Sequence, residues 1–284
     1  MGIFLAFLAA GFSTTKDLFS KKLAFSLKGI HSAFASFLFA LPFYAVIYAI
    51  AWFFGWEALP SGQLFWGLVL LRSLTDSCAE WLKMTALHHG DISLVSSFLS
   101  AAPLFLLFTS PLITGDPLTL KGVAGIALIV IGSLIAVFKT PTGAKPQKKG
   151  IAAALAAAFF FSLNSCFDRL AVQEAGPIIS GFAMTALSAL MLLPFLLRQA
   201  QRFGPILAEW KGCATRGFFE IGFMVFKLWA LQFLQAPYVI GIQKSGLLFS
   251  IVGGKILFKE EQFLRRFLAG LFVFAGVLVI IFAP

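Results

Sequence analysis

Apolar residues run along this chain in long, nearly uninterrupted stretches rather than in the short amphipathic patterns of water-soluble elements. Uncharged runs cover Ser32–Gly55, Ile92–Thr114, Gly122–Phe138, Gly150–Phe167, Ala175–Leu197 and Phe267–Pro284. Four further stretches, Gly2–Ala24, Leu64–Leu87, Cys213–Leu234 and Tyr238–Phe258, are apolar but carry isolated charges. A bilayer-spanning helix needs roughly 20 mainly apolar residues, whereas a strand of a membrane barrel needs about 10. The pattern predicts ten spanning helices, separated by punctuators such as Leu59-Pro60-Ser61-Gly62, Gly115-Asp116-Pro117 and Ala236-Pro237. Trp52, Trp56, Trp66 and Trp210 fall at run ends, where aromatic belts sit. The first stretch has no basic region ahead of it, so it is expected to be a retained helix and not a cleaved signal.

Composition agrees with the pattern. Of 284 residues, 60% are hydrophobic and 12% charged, with a mean hydropathy of +0.93. Soluble domains run near 45–50% apolar and about 25% charged, and disordered chains are poorer still in aromatics. Both classes are excluded. Cys78, Cys166 and Cys213 are widely spaced and form neither a disulfide framework nor a zinc-binding spacing. The net charge of +10 follows topology instead of a nucleic-acid surface. Thirteen of the 22 Lys and Arg, among them Lys21, Lys22, Lys28, Lys145, Arg202 and Lys211, follow odd-numbered spans, whereas Lys121 and Arg169 alone mark the opposite face. By the positive-inside rule, odd-span exits lie in the cytoplasm and both termini outside. The expected location is a membrane of bacterial inner-membrane type.

The two sides of the polar linker at Lys139–Lys149 repeat each other. Lys22-Leu23-Ala24 returns as Arg169-Leu170-Ala171, with Asp17 matched by Asn164. Arg72, Asp76, Lys83, Ala86 and Leu87 return 144 residues later as Arg216, Glu220, Lys227, Ala230 and Leu231. Gly115-Asp116-Pro117 returns near Lys259-Glu260-Glu261, and Gly125 and Gly132 near Gly270 and Gly276. The division is therefore a five-helix unit at 1–138, a basic linker at 139–149 and a second five-helix unit at 150–284. Five is odd, so the second unit is inverted relative to the first. Inverted repeats characterise transporters that bind substrate near the midplane, between the repeats.

With its five-plus-five helices, polar end of the first span (Ser13-Thr14-Thr15-Lys16-Asp17), fourth span leading to Pro103 and glycine-studded fifth span (Gly122, Gly125, Gly132), the chain resembles the EamA-type members of the drug/metabolite transporter superfamily. The resemblance covers essentially the whole chain, through loose motifs. It implies an all-α membrane protein in which spans one, three, four, six, eight and nine surround a central cavity. It also implies alternating-access carriage of a small organic solute. The chain differs from common members in the heavy ionic loading of its third and eighth spans, and in a charge bias that places the termini outside.

The ionic positions supply the candidate chemistry. Arg72, Asp76, Glu80 and Lys83 fall within an arc of roughly 80° on a helix of 3.6 residues per turn. Arg216, Glu220 and Lys227 occupy the matching arc of the eighth span, with Met224 where Glu80 would stand. Each charge costs about 2.5–3.5 kcal/mol at a bilayer centre, so seven of them must face protein or water. Arg72–Asp76 and Arg216–Glu220 have the spacing of i,i+4 ion pairs, which would serve either a structural or a binding role. Glu80, Lys83 and Lys227 are expected to stay outside those pairs and to take part in binding.

Lys244 lies mid-span beside Gln243, with no acidic residue within four positions, and needs a distant carboxylate or an anionic ligand group. Ser93, Ser96, Ser97 and Ser100 form a stripe on the fourth span suited to helix packing or to ligand contact. Lys16 and Asp17 of the first span, and Asn164 and Asp168 of the sixth, either line the cavity or reach an interface. The expected substrate-binding set is Lys16, Arg72, Asp76, Glu80, Lys83, Ser97, Ser100, Asn164, Arg216, Glu220, Lys227 and Lys244.

Six interior cations against five anions favour an amphoteric or anionic cargo: amino-acid-like, nucleoside-like or S-adenosylmethionine-like, or phosphorylated. A cation or drug exporter of the same fold is the alternative. An intramembrane lipid-modifying enzyme is a weaker one, because no nucleophile–base set and no metal or cofactor motif is present. His88 and His89 read as residues of a wet interface, and nothing reads as a channel filter. The expected partners are the small-molecule substrate, a coupling proton or counter-solute, and the lipid bilayer, with no nucleic acid. A monomer is sufficient to enclose the site.

Overall fold

In the computed structural model the described residues are 1–60, 62–89, 95, 98–116, 118–137, 148–258 and 263–282, and their regular structure is entirely helical. In chain order the helices are α1 (Gly2–Leu23), α2 (Gly29–Leu38), α3 (Leu41–Phe53), α4 (Gln63–His89), α5 (Ala102–Ile113), α6 (Leu120–Val137) and α7 (Lys148–Glu174). They continue with α8 (Pro177–Leu197), α9 (Gly204–Ala208), α10 (Trp210–Phe233), α11 (Ala236–Gln243), α12 (Gly246–Phe258) and α13 (Phe263–Ile281). Most of the linker, the acidic pair Glu260-Glu261, and Ser93, Ser96 and Ser97 lie outside the described residues.

Among the described residues, five stretches are long and apolar enough to cross a membrane: Gly2–Leu23, Gly29–Phe53, Lys148–Glu174, Pro177–Leu197 and Ala236–Leu257. The long helices α4 and α10 are set apart by their charge, and the reason is visible in the packing. On α4 the apolar face points out, with Leu70 at 51% and Leu74 at 53% exposure. Its ionic face points in, with Arg72 at 3% and Glu80 at 4%. This inside-out arrangement keeps charges away from hydrocarbon.

Several predicted spans are not continuous helices. The second breaks at Phe39–Ala40, just before Pro42 in the first turn of α3, and the fourth at Ser100–Ala101, just before Pro103 in the first turn of α5. Proline lacks the N–H that would continue the ladder and crowds the preceding turn. The ninth breaks at Lys244–Ser245 without a proline. There Thr14 Oγ1 donates to Gly246 O at 3.0 Å, and a Cβ on Gly246 would sit 3.0 Å from Ala10 O, so only a bare backbone fits against α1.

The most extensive helix contacts pair α1 with α10, α4 with α7, and α6 with α13. At the last crossing the backbones nearly touch: a Cβ on Gly125 would lie 2.8 Å from Gly276 O, and one on Gly132 equally close to Ala269 O. Small residues are what allow such an approach in a membrane.

Arg169 ties together the helix ends on one side. Its Nη1 donates to Leu231 O at 2.8 Å and Leu234 O at 2.7 Å, capping α10, while Nε lies 2.7 Å from Asp116 Oδ2 ahead of α6. Glu57 caps α8 in a similar way, accepting from Ile178 N at 3.0 Å and Ile179 N at 2.7 Å. Removing one partner of a buried pair costs about 3–5 kcal/mol. The Arg169→Ala variant is therefore expected to melt roughly 6–12 °C below wild type in detergent, with Arg169→Lys intermediate; an unchanged Tm in both would show that the contact carries no stability.

Candidate functional site

A central cavity of about 120 Å³ is walled by α1, α4, α7, α10, α11 and α12, with Phe37 of α2 and Leu99, Ser100 and Ala102 completing it. Its depth brings the ionic faces of α4 and α10 together, and nearly every charge there has a partner across helices.

Two networks result. In the first, Arg72 pairs with Asp76, and its Nε lies 2.9 Å from Asp168 Oδ1. Lys227 Nζ approaches the other oxygen of Asp168 at 2.6 Å, and Asn164 Nδ2 donates to Asp76 Oδ1 at 2.8 Å. In the second, Arg216 pairs with Glu80, lies 3.4 Å from Glu220 and donates to Ser20 Oγ at 2.7 Å. Lys16 reaches Glu220 at 3.2 Å, and Lys83 sits 2.7 Å from Asp17 and 3.6 Å from Glu80. Lys16 Nζ also lies 3.8 Å from the centroid of the Phe223 ring, within cation–π range.

The first network holds two cations and two anions, the second three of each. Both are formally neutral. Lys244 is left over: its Nζ donates to Leu99 O at 3.1 Å and has no ion pair with any described carboxylate. It is partly buried at the break between α11 and α12 and lines the cavity. Beside it, Gln243 also lines the cavity, and its Nε2 is buried without a hydrogen-bond partner among the described residues.

Of the residues expected in the site, Lys16, Arg72, Asp76, Glu80, Lys83, Ser100, Glu220, Lys227 and Lys244 line this cavity. Arg216 and Asn164 do not; they stand behind the wall, almost wholly buried, holding Glu80 and Asp76 in place. Ser97 lies outside the described residues. The expectation that Glu80, Lys83 and Lys227 remain unpaired is overturned. Their partners, Arg216 for Glu80, Asp17 for Lys83 and Asp168 for Lys227, stand on other helices, which spacing within one helix does not reveal.

Phe223, Ser165, Ser13 and Ser250 also line the cavity although the sequence reading did not single them out for it. Phe223 had a signal: it lies four positions before Lys227 and shares its face. His88 and His89 bond main-chain carbonyls, those of Ala24 at 2.9 Å and Thr85 at 2.8 Å. No cluster that could hold a metal occurs among the described residues.

Comparison with known proteins places this architecture. No curated protein matches the chain. One crystal structure, described only as that of a protein, aligns over 99% of this chain and 97% of its own with a TM-score of 0.73 at 15% identity; it shares the fold. The sequence pattern of the EamA-like transporter family matches residues 1–138 and 148–282. With nearly its whole length matched, this helical membrane chain belongs to the EamA-like transporter family, within the drug/metabolite transporter superfamily.

Proposed function

We propose that the chain is a secondary transporter that moves a small amphoteric or anionic metabolite by alternating access, with its site in the central cavity. The observation that carries this reading is the charge balance there: among the described residues, five acids and five cations neutralise one another, and Lys244 alone keeps an uncompensated charge facing the cavity. A lysine at membrane depth that rests on a neutral carbonyl is suited to an anionic cargo group. The break beside it supports the reading, because half-helices in transporters aim their N-termini at anionic substrate groups.

The reading includes ten spanning helices arranged as two inverted repeats, at 1–138 and 150–284. The helix pairing supports it: exchanging the repeats turns the α1–α10 pair into the α4–α7 pair and leaves α6–α13 unchanged. It also places odd-span exits in the cytoplasm and both termini outside. The drive is exchange against a counter-solute, since a cavity with one bare cation closes more readily when an anion occupies it. A cation exporter is the poorer reading, because every described acid in the cavity region already faces a cation.

Three outcomes are expected. Lys244→Ala, reconstituted in proteoliposomes, loses at least about tenfold in saturable, counter-solute-stimulated uptake, as expected for one charged hydrogen bond, while its Tm stays near wild type; wild-type uptake would remove the site. Asp168→Asn leaves Lys227 without its ion pair and Arg72 with Asp76 alone, and instead lowers stability by about 3–5 kcal/mol, read as a fall in Tm and in monodisperse yield. A single cysteine at Lys22 reacts with a membrane-impermeant maleimide only from the cytoplasmic face, and one at Glu174 only from the outer face; the reverse labelling would invert the topology.

A further inference from the structure

The size, charge and donor set of the cavity narrow the cargo further. A cavity of roughly 150 Å³ is filled by a single benzene ring, and the one here holds about 120 Å³. At four-fifths of that volume, its occupant is on the order of five or six non-hydrogen atoms by that comparison. A nucleoside or S-adenosylmethionine exceeds this space.

Charge sets the second limit. Each of the five carboxylates around the cavity already faces at least one cation, so no described acid stands free to receive a cargo ammonium. The exposed face of Phe223 is taken as well, with Lys16 Nζ 3.8 Å from its centroid and Lys227 Nζ 5.8 Å away. That ring is therefore already engaged by cations and is a poor seat for a cargo ammonium. Among the described residues, the residual charge is a single positive one, on Lys244. A phosphate ester brings about −1.5 to −2 and overcompensates; a carboxylate balances it.

The donors fit the same group. Lys244 Nζ donates to Leu99 O, a neutral acceptor, and a charged oxygen makes the stronger bond. The neighbouring Gln243 lines the same cavity, and its buried Nε2 has no hydrogen-bond partner among the described residues, so it is free to turn toward an acceptor there. We infer that the cargo is a small organic monoanion whose carboxylate is held by Lys244 Nζ and Gln243 Nε2 in the central cavity. The inference rests on the carrier reading above and adds to it the cargo's size and its single charge.

The test measures uptake into proteoliposomes of small probes that differ in charge, with one larger solute. Lactate, glycolate and propionate are the monoanions, alanine the zwitterion, ethanolamine the cation and adenosine the large neutral solute. Saturable uptake is expected for at least one monoanion, with alanine at least tenfold slower. Lys244→Gln is expected to reduce monoanion uptake about ten- to a hundredfold, the loss of one charge-assisted hydrogen bond. Gln243→Glu, which sets a carboxylate beside Lys244, keeps the fold and reverses the preference, so that alanine is carried faster than any monoanion. Preference of the wild type for alanine, ethanolamine or adenosine overturns the monoanion assignment and leaves the carrier reading standing. Absence of saturable flux for all six probes, from protein that is monodisperse and thermally intact, overturns both.

Discussion

An ion stripped of water in a bilayer is so costly that its partners dictate the surrounding architecture. Among the described residues, eleven ionised side chains gather around one cavity, and ten of them are matched with opposite charges. This requirement turns α4 and α10 inward, against α7 and α1, and leaves Leu and Trp side chains to meet lipid. It also explains shared partners. Asp168 serves both Arg72 and Lys227, and Glu220 both Arg216 and Lys16, because one carboxylate has two oxygens and acceptor sites to spare.

The pairs fall into two kinds with different consequences for motion. Lys83–Asp17 and Lys227–Asp168 each join helices of the same half of the chain. Arg72–Asp168, Arg216–Glu80 and Lys16–Glu220 join one half to the other. Pairs of the first kind travel with their own half whatever the halves do. Those of the second kind must lengthen or exchange partners if the halves rock, and each break would expose a charge unless water or cargo enters. Glu80 and Asp168 are placed for such exchange, since each touches one cation from its own half and one from the other. The ionic seam therefore holds the halves together, and in an alternating-access cycle it would also set where movement is cheapest.

Much of this was legible in the sequence because it follows from local arithmetic. The inward arc of Arg72, Asp76, Glu80 and Lys83 needs only the helical period and the cost of charge in lipid. Lys244 stood out by the same reasoning, from the lack of any acid near it in sequence. Long-range partners were not legible. The spacing that pairs Arg72 with Asp76 is silent about Asp168, which lies 96 residues away. It is equally silent about Arg216, which turns from the cavity toward Ser20 and Glu80 and so supports the wall instead of forming it. The breaks at Pro42 and Pro103 were written in the sequence, but hydropathy averages over them. The break at Lys244–Ser245 has no local marker, because it depends on how closely α1 approaches Gly246.

That last break bears on how the proposed cycle would work. A continuous helix would satisfy its own backbone and leave Lys244 to swing freely toward any carboxylate within reach. The interrupted one ends α11 at Gln243 and begins α12 at Gly246, so the lysine is held at the corner between them, its ammonium against Leu99 O. Leu99 itself stands just ahead of the second interruption, before Pro103. Two broken segments, one from each half, thus pack together and share a hydrogen bond between a charge and a neutral carbonyl. An arriving anion would compete for that bond and win on electrostatic grounds. Binding would then loosen a contact between the halves and discharge the cavity in the same step. In that cycle the empty protein would keep both the bond and the cation, and both would oppose closing the site around nothing.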